Sequence, residues 1–127
     1  MKEIMAFIRP NKVNETKVAL AEGGFPAFSC RKCLGRGKKS ISADLLKLVI
    51  ETGELPMDQN GENLTETVRL IQKRLFMIVV DDDKVNDAID ILIETNQTGH
   101  PGDGKIFVVP VLESYRVRDG VETTEAY

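Results

Sequence analysis

The sequence has no tryptophan, one histidine and two cysteines, and no apolar run approaching the ~18 residues that a bilayer-spanning helix requires. That last absence argues against membrane insertion. Cys30 and Cys33 form a lone C-x-x-C, the spacing of a redox pair or of half a zinc site. A tetrahedral zinc site needs about four ligands, and a single histidine is there to help. The surrounding "FPAFSCRKCL" also reads as a strand, on which residues three apart point to opposite faces, so inert thiols are the simpler expectation. Aromatic residues are scarce, five Phe and two Tyr, and the net charge is −3. Neither feature suits stacking on nucleobases or general polyanion binding, so no nucleic-acid partner is expected. The lone His100 sits beside Pro101, and no acid pair has a recognisable catalytic spacing, so an enzyme is not expected either. The opening "MKEIMAFIRP" carries an acid at its third position and no apolar core followed by small residues, which predicts no signal peptide and a cytoplasmic location.

What is present is the pattern of a soluble globular chain: 127 residues, 42% hydrophobic and 29% charged, enough for a single domain spanning 1–127. Residues 2 to 9, "KEIMAFIR", read as a strand closed by Pro10. The following "NKVNETKVALAEGG" reads as a helix with Asn11 as its cap and Gly23-Gly24 as its stop. A second strand is predicted from Phe25 to about Leu34. A polar stretch from Gly35 to about Gln72 shows weak helical periodicity in "ADLLKLVIE" and turn signals in "TGELP" and "DQNGEN". At more than ~15 residues it is too long for a simple connection and becomes a candidate functional segment. The pattern then repeats. "KRLFMIVV" is a strand, and "DDDKVNDAIDILIETNQ" is a helix with acids capping its positive end and an apolar stripe of Val85, Ala88, Ile89, Leu92 and Ile93. "KIFVVPVL" is the last long strand, continued or extended by "SYRVR". The order β-α-β, long loop, β-α-β predicts an α+β, ferredoxin-like fold, an antiparallel sheet with both helices on one face. The strands are apolar on both alternating sets, so the uncovered face is expected to be buried against other subunits.

One segment carries chemistry. "GHPGDGK", Gly99 to Lys105, satisfies G-x-x-x-x-G-K, the opening of a Walker A loop. Ile106 follows where a magnesium-holding Ser or Thr belongs, and the loop leads into a strand rather than a helix, so it is not a P-loop ATPase. Its local chemistry still suits an anion: Gly99, Gly102 and Gly104 tolerate positive φ and let backbone N–H groups converge, and Lys105 adds a point charge. Arg116 and Arg118, two apart in "YRVRDG", would share one face of a strand. A third basic cluster, "RKCLGRGKK", gathers Arg31, Lys32, Arg36, Lys38 and Lys39 around Gly35 and Gly37 at the root of the long loop.

The stretches "MKEIMAFIRPNKV", "ALAEGGFPA", "GRGK" and above all "TNQTGHPGDGKIFVVPV" with "YRVR" resemble the PII signal-transduction family, over nearly the whole chain apart from the loop. Its signature T-G-x-x-G-D-G-K-I-F is matched. The resemblance implies a trimeric ring of ferredoxin-like subunits, with ATP or ADP in the clefts between them and 2-oxoglutarate and Mg2+ beside the ATP phosphates. It places Gly102, Asp103, Gly104 and Lys105 in the phosphate-binding loop, with Arg116 and Arg118 reaching the phosphates from a neighbouring chain. Gly35, Arg36, Gly37 and Lys38 match the phosphate-contacting base of the family's T-loop, here about residues 37–72. Phe7, Ser29 and Val79 fall where the adenine and ribose pocket is lined. Lys73 matches the lysine that pairs with a 2-oxoglutarate carboxylate, and no metal ligand is implied from protein side chains.

Departures from the family pattern are informative. Lys39 stands where members typically carry a glutamine that ligates magnesium and helps seat 2-oxoglutarate; a protonated ammonium cannot ligate magnesium but can pair with a carboxylate. Met77 replaces an acidic residue near the adenine. The T-loop is longer than usual and holds no tyrosine, the side chain that nucleotidylated members modify. With the stretch from "FPAF" to "LGRGKK" and a tail at 119–127, these features resemble the nitrogenase-associated branch, specifically the second of two paired subunits. That resemblance implies a homo- or hetero-oligomer, trimer or hexamer, of PII-like chains that inhibits dinitrogenase directly and releases it with 2-oxoglutarate and ATP. The alternative is a general PII protein controlling an ammonium transporter or glutamine synthetase.

Overall fold

The first strand of the chain lies inside its main sheet. In the computed structural model, which describes residues 1–37 and 70–127, β1 (Lys2–Ile8) pairs antiparallel with β3 (Ile71–Val80) on one side and with β4 (Lys105–Pro110) on the other. β2 (Ser29–Gly35) completes the order β2-β3-β1-β4. With α1 (Val13–Glu22) and α2 (Val85–Asn96) this is the ferredoxin-like α+β arrangement. Lys38, Lys39, "ADLLKLVIE", "TGELP" and "DQNGEN" lie outside the described residues. By contacts the chain divides into a unit of Met1–Cys33 with Gln72–Tyr127 and a second of Leu34–Ile71.

Strand alternation sorts the sheet into two faces. Ile4, Ala6 and Ile8 of β1 sit opposite Ile78, Phe76 and Arg74 of β3, and the apolar members of this set are buried with Leu20 of α1 and Val85, Ala88 and Leu92 of α2. Phe76, Ile4, Leu20, Ile78 and Leu92 are the largest fully buried apolar side chains among the described residues. The other face presents Met5, Phe7, Met77, Val79, Phe107 and Val109, part-buried or exposed in a single chain. The helices meet closely: a Cβ on Gly23, at the end of α1, would stand 2.3 Å from Ile91 Cδ1 of α2. One polar pair bridges them. Asn96 Nδ2 donates to Thr16 Oγ1 at 3.2 Å and to the Leu92 carbonyl at 2.9 Å, and Thr16 Oγ1 donates to the Lys12 carbonyl at 2.7 Å, so these buried polar groups are satisfied.

Several sequence expectations shift. Asn11 is not a helix cap: Pro10, with fixed φ and no N–H, starts a 3₁₀ turn over Pro10–Lys12 that takes Asn11 inside it. The acids before α2 do not cap it either, because a 3₁₀ turn at Asp82–Lys84 sets them ahead of the helix. Asp82 instead pairs with the Met1 ammonium at 3.1 Å, and Asp81 Oδ1 accepts the Ala126 N–H at 2.9 Å. β2 begins at Ser29 rather than Phe25; Pro26 cannot donate to a ladder, and Phe25 is instead buried in the core while Phe28 packs on Phe76 with ring centroids 5.2 Å apart. In the expected stripe of α2, Ile93 is 43% exposed. "SYRVR" does not continue β4. It forms β5 (Ser114–Arg116), which pairs antiparallel with β6 (Val121–Thr123) around a turn closed by the Gly120 N–H on the Arg116 carbonyl at 2.8 Å. Arg118 falls in that turn, so Arg116 and Arg118 do not share a strand face.

Phe76 is fully buried in the cluster that holds residues of β3 and both helices and packs on Phe28, so Phe76→Ala is expected to cost ~3–5 kcal/mol of stability. Guanidinium unfolding measures this, and a midpoint equal to that of the native protein would contradict the placement of the core.

Candidate functional site

α2 ends at Asn96, with the Gln97 N–H still bonded to the Ile93 carbonyl at 2.8 Å, and β4 starts at Lys105. The chain between them folds around one carboxylate. Asp103 accepts hydrogen bonds from the Thr98 N–H at 2.7 Å, the Gly99 N–H at 2.9 Å, Arg9 Nη2 at 3.2 Å and the Thr98 hydroxyl. The Thr98 hydroxyl first, then the backbone N–H groups and Arg9, hold its pKa well below the usual carboxylate range. Expected among the phosphate-binding residues, Asp103 turns both carboxylate oxygens into the loop, and what it offers an anion is its backbone N–H.

Two glycines meet real constraints. Gly104 has φ +121°, and a Cβ there would lie 1.8 Å from the Phe7 carbonyl oxygen, which leaves space for no side chain. Gly102 has φ +98°, with Arg9 Nη2 3.3 Å from where its Cβ would stand. Arg9 also donates to the Pro101 carbonyl at 3.0 Å, and Lys73 Nζ donates to the Gly102 carbonyl at 2.6 Å. Partial burial lowers the Lys73 pKa, the Arg9 charge adds to the effect, and Asp103 and Cys33 oppose it. Lys73, expected to meet a 2-oxoglutarate carboxylate, thus already has a partner in the glycine loop.

Arg9 is absent from the residues singled out in the sequence. The signal that could have found it is topological: β1 runs antiparallel to β4 with Phe7 opposite Lys105, so the residue after Ile8 must lie beside the loop that precedes Lys105. The same register, with Ile8 opposite Arg74, sets Lys73 one step further on the other flank.

At the exit of the loop, Lys105 Nζ lies 5.5 Å from the centroid of the Phe107 ring, which meets Phe7 edge-on at 6.1 Å. A cation beside two rings can serve a phosphate and an apolar base together. A cleft of ≈ 270 Å³ adjoins the loop, lined by Ile8, Leu92, Ile93, Asn96 and Ile106 among others. Within one chain the structure therefore gathers Phe7, Lys73, Gly102, Asp103, Gly104 and Lys105. Val79 and Ser29 lie elsewhere in the sheet. Val79 pairs with Glu3, four residues along β1 from Phe7, and Ser29 begins the strand at the far edge of the sheet from β4. Arg116 is held by Asp119, with Nη2 at 2.6 Å and Nε at 3.0 Å from Oδ2. Gly35, Arg36 and Gly37 belong to the second unit, where a Cβ on either glycine would meet open space. Lys38 and Lys39 are not described. Among the described residues no three His, Cys, Asp or Glu side chains converge as a metal site, and Cys30 and Cys33 are free thiols.

The chain matches the sequence pattern of the family described as "Nitrogen regulatory protein P-II" over residues 1–121. It is 45% identical over 127 residues to the "Nitrogen fixation nifHD region GlnB-like protein 2" of Methanothermococcus thermolithotrophicus, covering 98% of this chain and 96% of that one. The protein of the same description in Methanothermobacter marburgensis is 37% identical over 126 residues, covering 99% of each. The "GlnB-like protein 1" from the same Methanothermococcus is 32% identical over 120 residues, covering 94% of this chain and 96% of that one.

Because the folded-state pKa of Asp103 is depressed, its ordering of the loop is present at neutral pH and is lost only as pH falls below the ordinary carboxylate range. The Thr98 and Gly99 amide NMR signals are expected to stay put from about pH 7 to about pH 4, and to move at neutral pH in Asp103→Asn. A native titration centred near pH 4 would contradict this. Gly104→Ala is expected to displace the loop and to cost ~1–3 kcal/mol, read by the same signals and by thermal unfolding.

Proposed function

The chain belongs to the nitrogen regulatory protein P-II family and resembles its nitrogenase-associated branch, the second of two paired subunits; on that premise we propose that this nitrogen-regulatory signalling protein senses ATP or ADP together with 2-oxoglutarate and controls nitrogenase by binding dinitrogenase directly. The observation that carries the sensing half is the Asp103-centred glycine loop, with Lys105 at its exit and no room for a side chain at Gly104. A loop that close to β1 leaves only main chain against a ligand, and main-chain N–H groups with one ammonium suit the oxygens of a phosphate chain. Phe7 and Phe107 supply apolar surface beside that ammonium for the adenine. Arg116 and Arg118 would act on the phosphates of a neighbouring copy. The apolar outer sheet face fits the PII-like trimer, or a hexamer with a paired subunit, that such sharing requires. Magnesium, when bound, would draw its ligands from nucleotide and 2-oxoglutarate oxygens.

The regulatory half follows from Lys73. Its ammonium now holds the Gly102 carbonyl, and a 2-oxoglutarate carboxylate would compete for it. The loop and the start of β3 would then change together, and the T-loop segment at about 37–72, the surface proposed to dock on the enzyme, runs into β3. The word "nifHD" in the names of the similar proteins supports nitrogenase as the target. No described helix is long and apolar enough to cross a membrane, and the proposed setting is the cytoplasm.

Isothermal titration of the purified protein with Mg-ATP is expected to show binding that Lys105→Ala weakens about tenfold or more, the scale of one lost charge-assisted bond. Equal affinity in the variant would remove the loop from the model of binding. Dinitrogenase assayed with this protein and its paired subunit is expected to be inhibited, and to recover when ATP and 2-oxoglutarate are added. Unaffected activity, with capture of glutamine synthetase or an ammonium transporter instead, would sink the nitrogenase assignment.

A further inference from the structure

The N–H groups of Gly102 and Asp103 have no hydrogen-bond partner among the described residues. Their peptide units are nonetheless anchored from the other end. Arg9 Nη2 holds the Pro101 carbonyl at 3.0 Å, and Lys73 Nζ holds the Gly102 carbonyl at 2.6 Å. The peptide bonds here are trans, and in a planar trans unit the N–H points opposite to the C=O. Drawing the Pro101 and Gly102 carbonyls toward these cations therefore turns the Gly102 and Asp103 N–H groups away from them. Consecutive N–H groups aimed outward from a loop with positive-φ glycines form an anion nest.

Arg9 is turned into the loop. Its Nε is buried with no hydrogen-bond partner among the described residues, a cost that a surface arginine would avoid by swinging out. The same Nη2 reaches both the Pro101 carbonyl and Asp103 Oδ1, so one guanidinium fixes the peptide before the nest and the carboxylate inside it.

We propose that Arg9 is a positioning residue for phosphate recognition: without touching the ligand, it aims the Gly102 and Asp103 N–H groups at a phosphoryl oxygen through the Pro101 carbonyl and the Asp103 carboxylate. The identity of the ligand rests on the nucleotide function proposed above; the geometry of the nest does not. Arg9→Gln keeps the size and polarity of the side chain but removes the charge and the fork, and Arg9→Lys keeps the charge with a single donor site.

The test measures three quantities on native protein and both variants: ATP affinity by calorimetry, adenosine affinity by chemical-shift titration, and hydrogen exchange of the Thr98 and Gly99 amides without ligand. Arg9→Gln is expected to weaken ATP about tenfold, the scale of a lost bond to a charged group, while adenosine affinity stays within about twofold. Exchange at Thr98 and Gly99 is expected to speed up, and Arg9→Lys to recover part of both losses. Native ATP affinity with native exchange in Arg9→Gln would overturn the proposal. So would an equal loss of ATP and adenosine with a lower unfolding midpoint, which marks a general structural role. Weaker ATP binding with unchanged exchange would make Arg9 a direct ligand and overturn positioning. If the native protein bound no ATP, the nucleotide function would fail, and unchanged exchange in Arg9→Gln would still be what defeats Arg9 as the loop's anchor.

Discussion

The carboxylate of Asp103 is the constraint from which the shape of the candidate site follows. A turn of this length between a helix and a strand has more N–H groups than its own carbonyls can satisfy, and Asp103 collects those of Thr98 and Gly99 together with the Thr98 hydroxyl. With the carboxylate pulled inward, the loop exposes backbone and Lys105 instead of an anion. The ion pair with Arg9 is part-buried, and its main effect is direction, since the guanidinium ties the loop to the end of β1.

The fold makes this economy possible by putting β1 between its partners. Its buried set, Ile4, Ala6 and Ile8, is held by the helices, and its last residues then have a fixed place between the starts of β3 and β4. Arg9, Lys73 and Lys105 come from strands distant in the chain, yet their positions relative to the loop are set by strand register rather than by loop contacts. On the helix side, Asn96 closes α2 with a bond to Thr16 of α1, so the loop leaves from a buried anchor.

Much of this was legible in the residues. The continuous apolar runs in "KEIMAFI" and "RLFMIVV" specify strands apolar on both faces, and the stripe Val85, Ala88, Leu92 specifies a helix with one buried face; which face of the sheet meets the helices was not legible from runs apolar on both sets. The glycine loop was visible because Gly-x-Gly before Lys is rare without a backbone reason. The misses have physical causes too. Asn11 and the aspartates at 81–83 have the chemistry of caps, but a 3₁₀ turn displaced each from the capping position. Arg116 and Arg118 alternate as on a strand, but Gly120 and Asp119 close a turn that ends the strand at Arg116. Arg9 carries no local motif at all; only pairing between the first and last strands of the sheet gives it a role.

That pairing joins residues about a hundred positions apart, a non-local closure that is entropically costly. The nest cannot exist in a partly folded chain, since its floor is Phe7 and its clamp is Arg9. Any anion it captures is therefore captured by the finished molecule alone, and by mass action the ligand's abundance in the cell would also set how long each copy survives quality control.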